Sequence, residues 1–314
     1  MEKQCTVAIE VKSLTKRYGD LLALDNVSFQ VKQGEIFGFL GPNGAGKTTT
    51  INILTTLLKP TSGLAAILGE SVLKNPKTVR KQISLVLQAG SLNPFLNVFN
   101  NLYFSTLLQR IHKAERRRRI EKIMEELDLT SKRKTTLFQL SGGQYRRLQI
   151  ASAFLNETAV LFLDEPTLGI DIEGKIKIWK LLKERKKEKN LTVFLATNDM
   201  AEAEFLCDRI AFVSQGKILA VDTPEILKRE AKTTLLIIDF EMKSIEDLHL
   251  TLPPQATILS KENYRIQISL IKVDGSLASI IQQINEQAVI KDIDLRKPSL
   301  QDVFMYLTKV IKRE

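Results

Sequence analysis

The sequence predicts an α/β fold in which a mainly parallel sheet is covered by helices on both faces, followed by a small α+β domain. Three dense apolar runs, at residues 36–40, 159–163 and 192–197, are typical of strands buried on both faces. Helix-patterned segments separate these runs, as the crossovers of a parallel sheet require. Near residue 233 the pattern changes, and a second, smaller set of strands and helices begins.

The elements can be predicted in chain order. Residues 7–11 and 26–31 are strand-like, with a turn at 18–20 between them, and 36–40 is a strand that leads into a glycine-rich loop. A helix is predicted over 47–58, stopped by Pro60.

The stretch from about 93 to 138 is charged and helix-patterned, which predicts a helical insertion between sheet elements. One apolar stripe at i, i+3, i+4 and i+7 consists of Ile120, Ile123, Met124 and Leu127. The main domain is expected to end near 223–225. Beyond it, strands are predicted at 235–240 and 264–271, and helices at 276–284 and 299–309.

The composition is that of an ordinary globular chain, with 44% hydrophobic and 26% charged residues among 314. No apolar run approaches the roughly 18–20 residues that cross a bilayer, and the first residues lack a signal-peptide pattern. The two cysteines, Cys5 and Cys207, have no metal-ligand spacing, so we expect reduced thiols in a cytoplasmic chain.

The net charge of +10 leaves two interpretations open. A basic surface could attract nucleic acid or an anionic membrane face. Charge runs such as 116–119 and 183–187 are more typical of solvated helix faces. No aromatic residues interleave with them to form a single-strand binding groove, so no nucleic-acid partner is predicted.

The strongest chemical signal is a phosphate loop of the pattern G-x-x-x-x-G-K-[ST] between a predicted strand and a predicted helix. Its glycines let successive backbone N–H groups face phosphates, its lysine adds a positive charge, and its threonine hydroxyl can bind Mg²⁺. The expected nucleotide-binding residues are Gly41, Pro42, Asn43, Gly44, Ala45, Gly46, Lys47, Thr48 and Thr49.

Two carboxylates, Asp164 and Glu165, follow the apolar strand at 160–163. Ligands of open α/β sheets bind at this end of the strands. Asp164 can hold Mg²⁺ through water, and Glu165 is placed to polarise an attacking water. The pattern alone is common, but together with the phosphate loop it predicts a site for nucleotide hydrolysis.

A third motif, at 140–144, precedes a helix-patterned run at 145–155. A serine with two glycines at a helix start can present a hydroxyl and bare N–H groups to an anion. The alternative is that Ser141 is simply a helix N-cap, a position that serine favours without any ligand. The residues concerned are Ser141, Gly142, Gly143 and Gln144.

This third motif resembles the signature motif of the ABC ATPase family, and the order and spacing of the other motifs match that family over about residues 6–225. The resemblance implies a P-loop NTPase core with an antiparallel β-subdomain, over residues 1–228, with a helical subdomain inserted at about 90–155. A separate small domain would then occupy 229–314. ATP and Mg²⁺ are the implied cofactors.

Further residues acquire roles only through this resemblance. Tyr18 lies where a family aromatic stacks on adenine, and Gln88 resembles the glutamine that joins the Mg²⁺ site and senses the membrane partner. Asp171 lies in a loop like the one that touches the opposite subunit. The implied assembly is a head-to-tail dimer, of identical or different subunits, on a transmembrane permease at the inner face of the cell membrane.

The C-terminal residues indicate a particular branch of this family. Residues 297–304, together with 166–171, resemble the bacterial drug- and polysaccharide-exporter branch, whose ATPases carry a C-terminal appendage. A plain core helix explains the same tail, and both interpretations can hold. Its expected buried stripe is Leu300, Val303, Phe304 and Leu307.

One position departs from the family pattern. Asn198 stands where the family usually has a histidine that contacts the γ-phosphate. An asparagine amide can donate a hydrogen bond, but it cannot carry charge or exchange a proton near neutral pH. The resemblance predicts an ATP-hydrolysing subunit of an exporter, in which Glu165, Lys47, Gln88 and Asn198 act in catalysis. The alternative is an ATP-dependent dimerisation switch with little hydrolysis.

Overall fold

The computed structural model describes residues 6–87, 92–230, 234–241, 248–254, 256–262, 264–270 and 275–311. The chain divides into two compact units, residues 1–220 and 221–314. The predicted domain boundary at 228–229 falls inside the second unit and stays a prediction. The division cuts through strand β10 (Lys217–Asp222), in which no glycine or proline marks a break.

The first unit begins with an antiparallel sheet of order β2-β1-β4-β5. Its long hairpin turns at Gly19, whose φ of 55° is in the left-handed region that glycine favours. Along β2 the residues alternate between buried and exposed over 27–32, as expected for a half-buried strand. The strands are β1 (Val7–Tyr18), β2 (Leu21–Lys32), β4 (Ser62–Ile67) and β5 (Glu70–Ser71).

The second sheet of this unit has the order β10-β9-β3-β8-β7-β6 and is parallel from β6 to β9. Because parallel strands end at one edge, the segments that follow β3, β7 and β8 come together there. These are the phosphate loop, the two carboxylates and Asn198. The remaining strands are β3 (Ile36–Leu40), β6 (Ile83–Val86), β7 (Val160–Asp164), β8 (Thr192–Thr197) and β9 (Arg209–Ser214). The predicted fold class is confirmed.

The first helix is shorter than predicted. Helix α1 runs from Lys47 to Leu54, whereas the sequence predicts a helix through residue 58. Thr56 has a φ of 67°, and the backbone N–H groups of Leu57 and Leu58 both bond to Asn52 O. This left-handed residue turns the chain out of the helix before Pro60.

The helical insertion lies between β6 and β7, and the predicted apolar stripe on α4 is buried. The described part of the chain contains no helix long and apolar enough to cross a membrane. The helices of this unit are α2 (Pro76–Gln82), α3 (Val98–Leu108), α4 (Lys113–Glu126), α5 (Gly142–Phe154), α6 (Ile172–Lys189) and α7 (Met200–Leu206).

An aromatic cluster fills the space between the two sheets. The ring of Phe194, on β8, lies 5.4–6.0 Å from four other phenylalanine rings. These belong to Phe29, Phe37, Phe39 and Phe162. Such burial gives the strands that carry the site a rigid base.

Among its described residues, the second unit has an antiparallel sheet of order β12-β13-β11-β14 and three helices. In the predicted stripe of the final helix, Leu300 and Val303 are buried, while Phe304 and Leu307 are half-buried. The elements are α8 (Pro224–Glu230), β11 (Thr234–Glu241), β12 (Ala256–Glu262), β13 (Arg265–Leu270), α9 (Gly275–Gln287), β14 (Val289–Arg296) and α10 (Leu300–Ile311).

Candidate functional site

The loop between β3 and α1 takes a shape that its glycines require. Gly44 and Gly46 have φ values of 80° and 101°, a region that other residues rarely adopt. At Gly41 a Cβ atom would lie 2.2 Å from the carbonyl oxygen of Val213, so this position has no room for a side chain. The loop is thus packed against β9 while its tip stays open.

Lys47 is buried under this loop, with 6% of its surface exposed. Its ammonium group donates to Gly41 O at 2.7 Å and to Pro42 O at 3.1 Å, and forms an ion pair with Glu165 Oε1 at 3.2 Å. A buried charge needs such compensation. These contacts fix the position of the lysine. An anionic ligand could bind its ammonium group in place of the Glu165 carboxylate.

Asp164 and Thr48 form the second contact between the loop and β7. The Thr48 hydroxyl donates to Asp164 Oδ2 at 2.8 Å. Asp164 Oδ1 is buried and accepts no hydrogen bond within the described residues. Burial raises the pKa of Asp164, against the opposing effects of Thr48, Lys47 and Arg146. A hydroxyl beside a carboxylate oxygen with spare capacity fits a hard cation such as Mg²⁺.

Glu165 joins the ends of β7 and β8. Its Oε2 accepts a hydrogen bond from the backbone N–H of Asn198 at 3.2 Å. Its own φ is 50°, an uncommon conformation for a residue with a side chain, which costs on the order of 1–3 kcal/mol. The exposed Asn198 contacts Glu165 through a group that any residue except proline would supply.

Lys47, Thr48 and Glu165 line one cleft of about 630 Å³, whereas Asp164 and Asn198 are not among its lining residues. Tyr18 stands at its edge, 45% exposed, with Lys16 Nζ 4.9 Å from its ring centroid. The structure thus brings Tyr18 together with the loop, Thr49 and Glu165. The lining consists of Tyr18, Leu21, Leu22, Ala23, Pro42, Asn43, Gly44, Gly46, Lys47, Thr48, Thr49, Glu165 and Gln215.

The third motif lies away from this cleft: none of the residues that the structure shows lining it comes from 141–144. Ser141 is the N-cap of α5, and it forms a capping box in which its Oγ accepts from Gln144 N at 3.2 Å. The cap interpretation is therefore realised in this chain. Gly143 packs against Gly169 and Ile170.

Two other predicted residues have separate outcomes. Asp171 is the N-cap of α6 and accepts from Gly174 N at 2.6 Å. Gln88 lies outside the described residues, so its predicted role stays a prediction.

Arg146 and Glu202 are buried charged residues that the sequence patterns did not reveal. Arg146, on α5, is 5% exposed, and Glu202, on α7, is fully buried. The indole Nε1 of Trp179 donates to Glu202 Oε1 at 3.1 Å, and Glu202 Oε2 is buried without a hydrogen-bond partner among the described residues. Helical spacing could have indicated the burial of Arg146, because it places this residue on the same face as the apolar residues at 150 and 153.

Comparison with known proteins identifies the family. The model of the family described as ABC transporter matches residues 24–168. The chain is 33% identical over 303 residues to the daunorubicin resistance ATP-binding protein DrrA3 of Streptomyces coeruleorubidus, covering 96% of each protein. This chain belongs to the family of ABC transporter ATP-binding proteins. It is also 34% identical over 313 residues to the doxorubicin resistance ATP-binding protein DrrA of Mycobacterium tuberculosis, covering 96% of this chain and 94% of that one.

A solved structure agrees with the assignment. A dimeric ATP-binding cassette in a post-hydrolysis state, bound to ADP and phosphate, matches with a TM-score of 0.64 and 30% identity. The match covers 68% of this chain and 98% of that chain. The protein is thus an ABC-type ATPase, the ATP-binding subunit of a transporter, with an additional C-terminal antiparallel sheet.

The buried Glu202 generates a pH prediction. Burial raises the pKa of Glu202 above its ordinary value of 4.5, although its hydrogen-bond partners lower it. The native state then binds the proton more tightly than the unfolded state, so the free energy of unfolding falls as pH rises from 4.5 toward the raised pKa. The variant Glu202→Gln cannot ionise and should gain on the wild type across that window. Urea denaturation between pH 4 and 8 measures this difference, and a constant difference would contradict it.

Proposed function

We propose that the chain hydrolyses ATP at this cleft, with Glu165 as the general base. The observation that supports this role is the position of the Glu165 carboxylate, between the Lys47 ammonium group and the Asn198 N–H, each 3.2 Å away. A general base must be within hydrogen-bond reach of the reacting water, and this carboxylate lies in the wall of the phosphate cleft.

The ion pair between Lys47 and Glu165 would be replaced when ATP binds. A β- or γ-phosphate of ATP would compete with Glu165 Oε1 for Lys47, because both are anions and the lysine is the cation at the loop. Displacement would free one carboxylate oxygen to accept a proton from water. The Asn198 N–H would keep the other oxygen in place. Tyr18 would stack on the adenine at the edge of the cleft.

Mg²⁺ would be held by Thr48 and Asp164, with Gln88 as a further ligand implied by the family resemblance. The spare capacity of the buried Asp164 Oδ1 supports this assignment. When bound, the ion would neutralise charge that develops on the phosphate oxygens. Lys47 and the backbone N–H groups of the loop would orient the same phosphates.

The site would be completed by a second ATPase subunit, identical or different, in a head-to-tail dimer. Ser141 to Gln144 stand at a helix N-terminus but do not line the cleft of their own chain. In a head-to-tail arrangement they would face the partner's ATP, and Asp171 would lie at the subunit contact. The dimeric ADP- and phosphate-bound cassette that this chain resembles supports the arrangement.

We further propose that the dimer acts on a transmembrane permease at the cytoplasmic face of the membrane, and that transport is export. The drug-resistance names of two relatives that match over nearly the full chain support the direction.

Purification from cross-linked membranes of the source cells should recover a membrane protein with several spans. Recovery of soluble partners or nucleic acid alone would contradict the proposal.

The alternative, a dimerisation switch with little hydrolysis, rests on Asn198. The structure favours hydrolysis over this alternative, since the contact to Glu165 comes from the backbone of residue 198 and is independent of its side chain.

The first prediction about the cleft concerns Glu165→Gln. Loss of the base should lower kcat roughly 10²- to 10⁴-fold, whereas ATP binding should persist because Lys47 loses its competing carboxylate. Phosphate release measures kcat. Light scattering after size exclusion with ATP measures whether the variant still binds ATP and forms the dimer. Glu157→Gln is the matched control, since Glu157 pairs with Lys189 away from the cleft. Equal kcat for Glu165→Gln and the control would exclude Glu165 as the base.

The second prediction separates hydrolysis from the switch. Asn198→His should leave the rate of phosphate release within about threefold of the wild type, because positioning and electrostatics dominate phosphoryl transfer. A gain of about tenfold or more would favour the switch instead. Lys47→Ala should weaken nucleotide binding and serves as the inactive reference.

A further inference from the structure

Arg146 is a buried arginine on the signature helix α5, two residues beyond the end of the signature motif. Its guanidinium group makes five hydrogen bonds. Nη1 donates to the Gln149 side chain at 2.8 Å and to Leu87 O. Nε donates to Pro166 O at 3.0 Å. Nη2 donates to Glu165 O at 3.0 Å and to Asp164 O.

Three of these acceptors are the consecutive backbone carbonyls of residues 164–166. They form the turn that leaves β7 and carries both carboxylates, and Glu165 within it has the left-handed φ of 50°. A planar fork that binds three carbonyls in a row restricts the backbone far more than one ion pair would. Arg146 thus holds the turn rather than neutralising a particular carboxylate.

The fourth carbonyl belongs to Leu87, the residue directly after β6 in the chain order and directly before position 88. One guanidinium group therefore joins the end of β6, the end of β7 and helix α5. The chain from Gly142 to Arg146 is helical and rises about 1.5 Å per residue, so the motif and the turn are linked by a short rigid segment.

We propose that Arg146 is a positioning residue that couples the signature motif to Glu165 of the same chain. When the motif binds the partner's ATP, a shift of α5 would move the 164–166 turn through the guanidinium group. The arrangement of the base in one site would then depend on occupancy of the other. This coupling rests on the proposed function, namely hydrolysis in a head-to-tail dimer.

Arg146→Lys tests the coupling, because lysine keeps the charge but cannot bind three carbonyls as a fork. We expect kcat to fall roughly 10- to 100-fold, the usual range for losing a residue that orients a site, with KM and nucleotide affinity within about twofold. Arg147→Lys is the matched control: the neighbouring arginine donates to Leu127 O and Asp128 instead. It should leave kcat unchanged.

Hydrogen exchange of the full chain with Mg²⁺ and ATPγS gives a readout that does not need turnover. In the wild type, nucleotide should slow exchange at both 141–146 and 164–170. In Arg146→Lys, protection at 141–146 should remain while protection at 164–170 is lost. A merely structural role would instead raise exchange at both segments without nucleotide.

Several outcomes would overturn the proposal: an unchanged kcat with both segments still protected, or an equal loss of nucleotide binding and turnover. If Arg146→Lys does not fold, Gln149→Met removes the side-chain acceptor of Arg146 and should lower kcat by several-fold. Wild-type rates and exchange in that variant would also overturn it. If the wild type releases no phosphate, the proposed hydrolysis fails, and the exchange comparison still decides the coupling.

Discussion

Burial of the Lys47 ammonium group is the constraint around which the nucleotide cleft is arranged. A charge that is 6% exposed must be surrounded by acceptors, and the chain supplies them from two places. Gly41 and Pro42 turn their carbonyls inward from the loop after β3, and Glu165 reaches across from the end of β7. The parallel pairing of β3, β8 and β7 is what brings these segments within reach. These contacts fix the position of Lys47 in the wall of the cleft.

The departure at Asn198 has a simple physical meaning in this arrangement. The group that contacts Glu165 is the backbone N–H, and Asn198 itself is exposed. A different side chain at position 198 would therefore leave this backbone contact with Glu165 in place. What the asparagine cannot supply is a charge or a mobile proton toward the phosphate.

Much of the fold and of the cleft could be predicted from the sequence because the signals are local. The apolar runs of β3, β7 and β8 identify buried strands, and the glycines around Lys47 have meaning only in a loop of that shape. Contacts through backbone carbonyls left no such signal. Every residue has a backbone carbonyl, so the amino-acid types at 164–166 do not indicate that their carbonyls bind Arg146.

Chain reversals were predicted less well, for a related reason. Thr56 ends α1 by adopting a left-handed φ of 67°, although threonine carries no preference for that region. Only the packing around it decides this conformation. Arg146 and Glu202 were missed because charged residues are usually exposed. Their burial can be predicted only when the groups that compensate their charge are known.

The helix cap at Ser141 uses only part of the hydrogen-bonding capacity of the hydroxyl group. A hydroxyl has one donor and two acceptor positions, and the cap uses only an acceptor, toward Gln144 N. The proton remains available to donate to an incoming anion. The observed capping role and the proposed ligand-binding role of this side chain are therefore compatible. Aspartate would keep the cap but lose the donor, and alanine would lose both, so few amino acids could replace this serine without giving up one of its two duties.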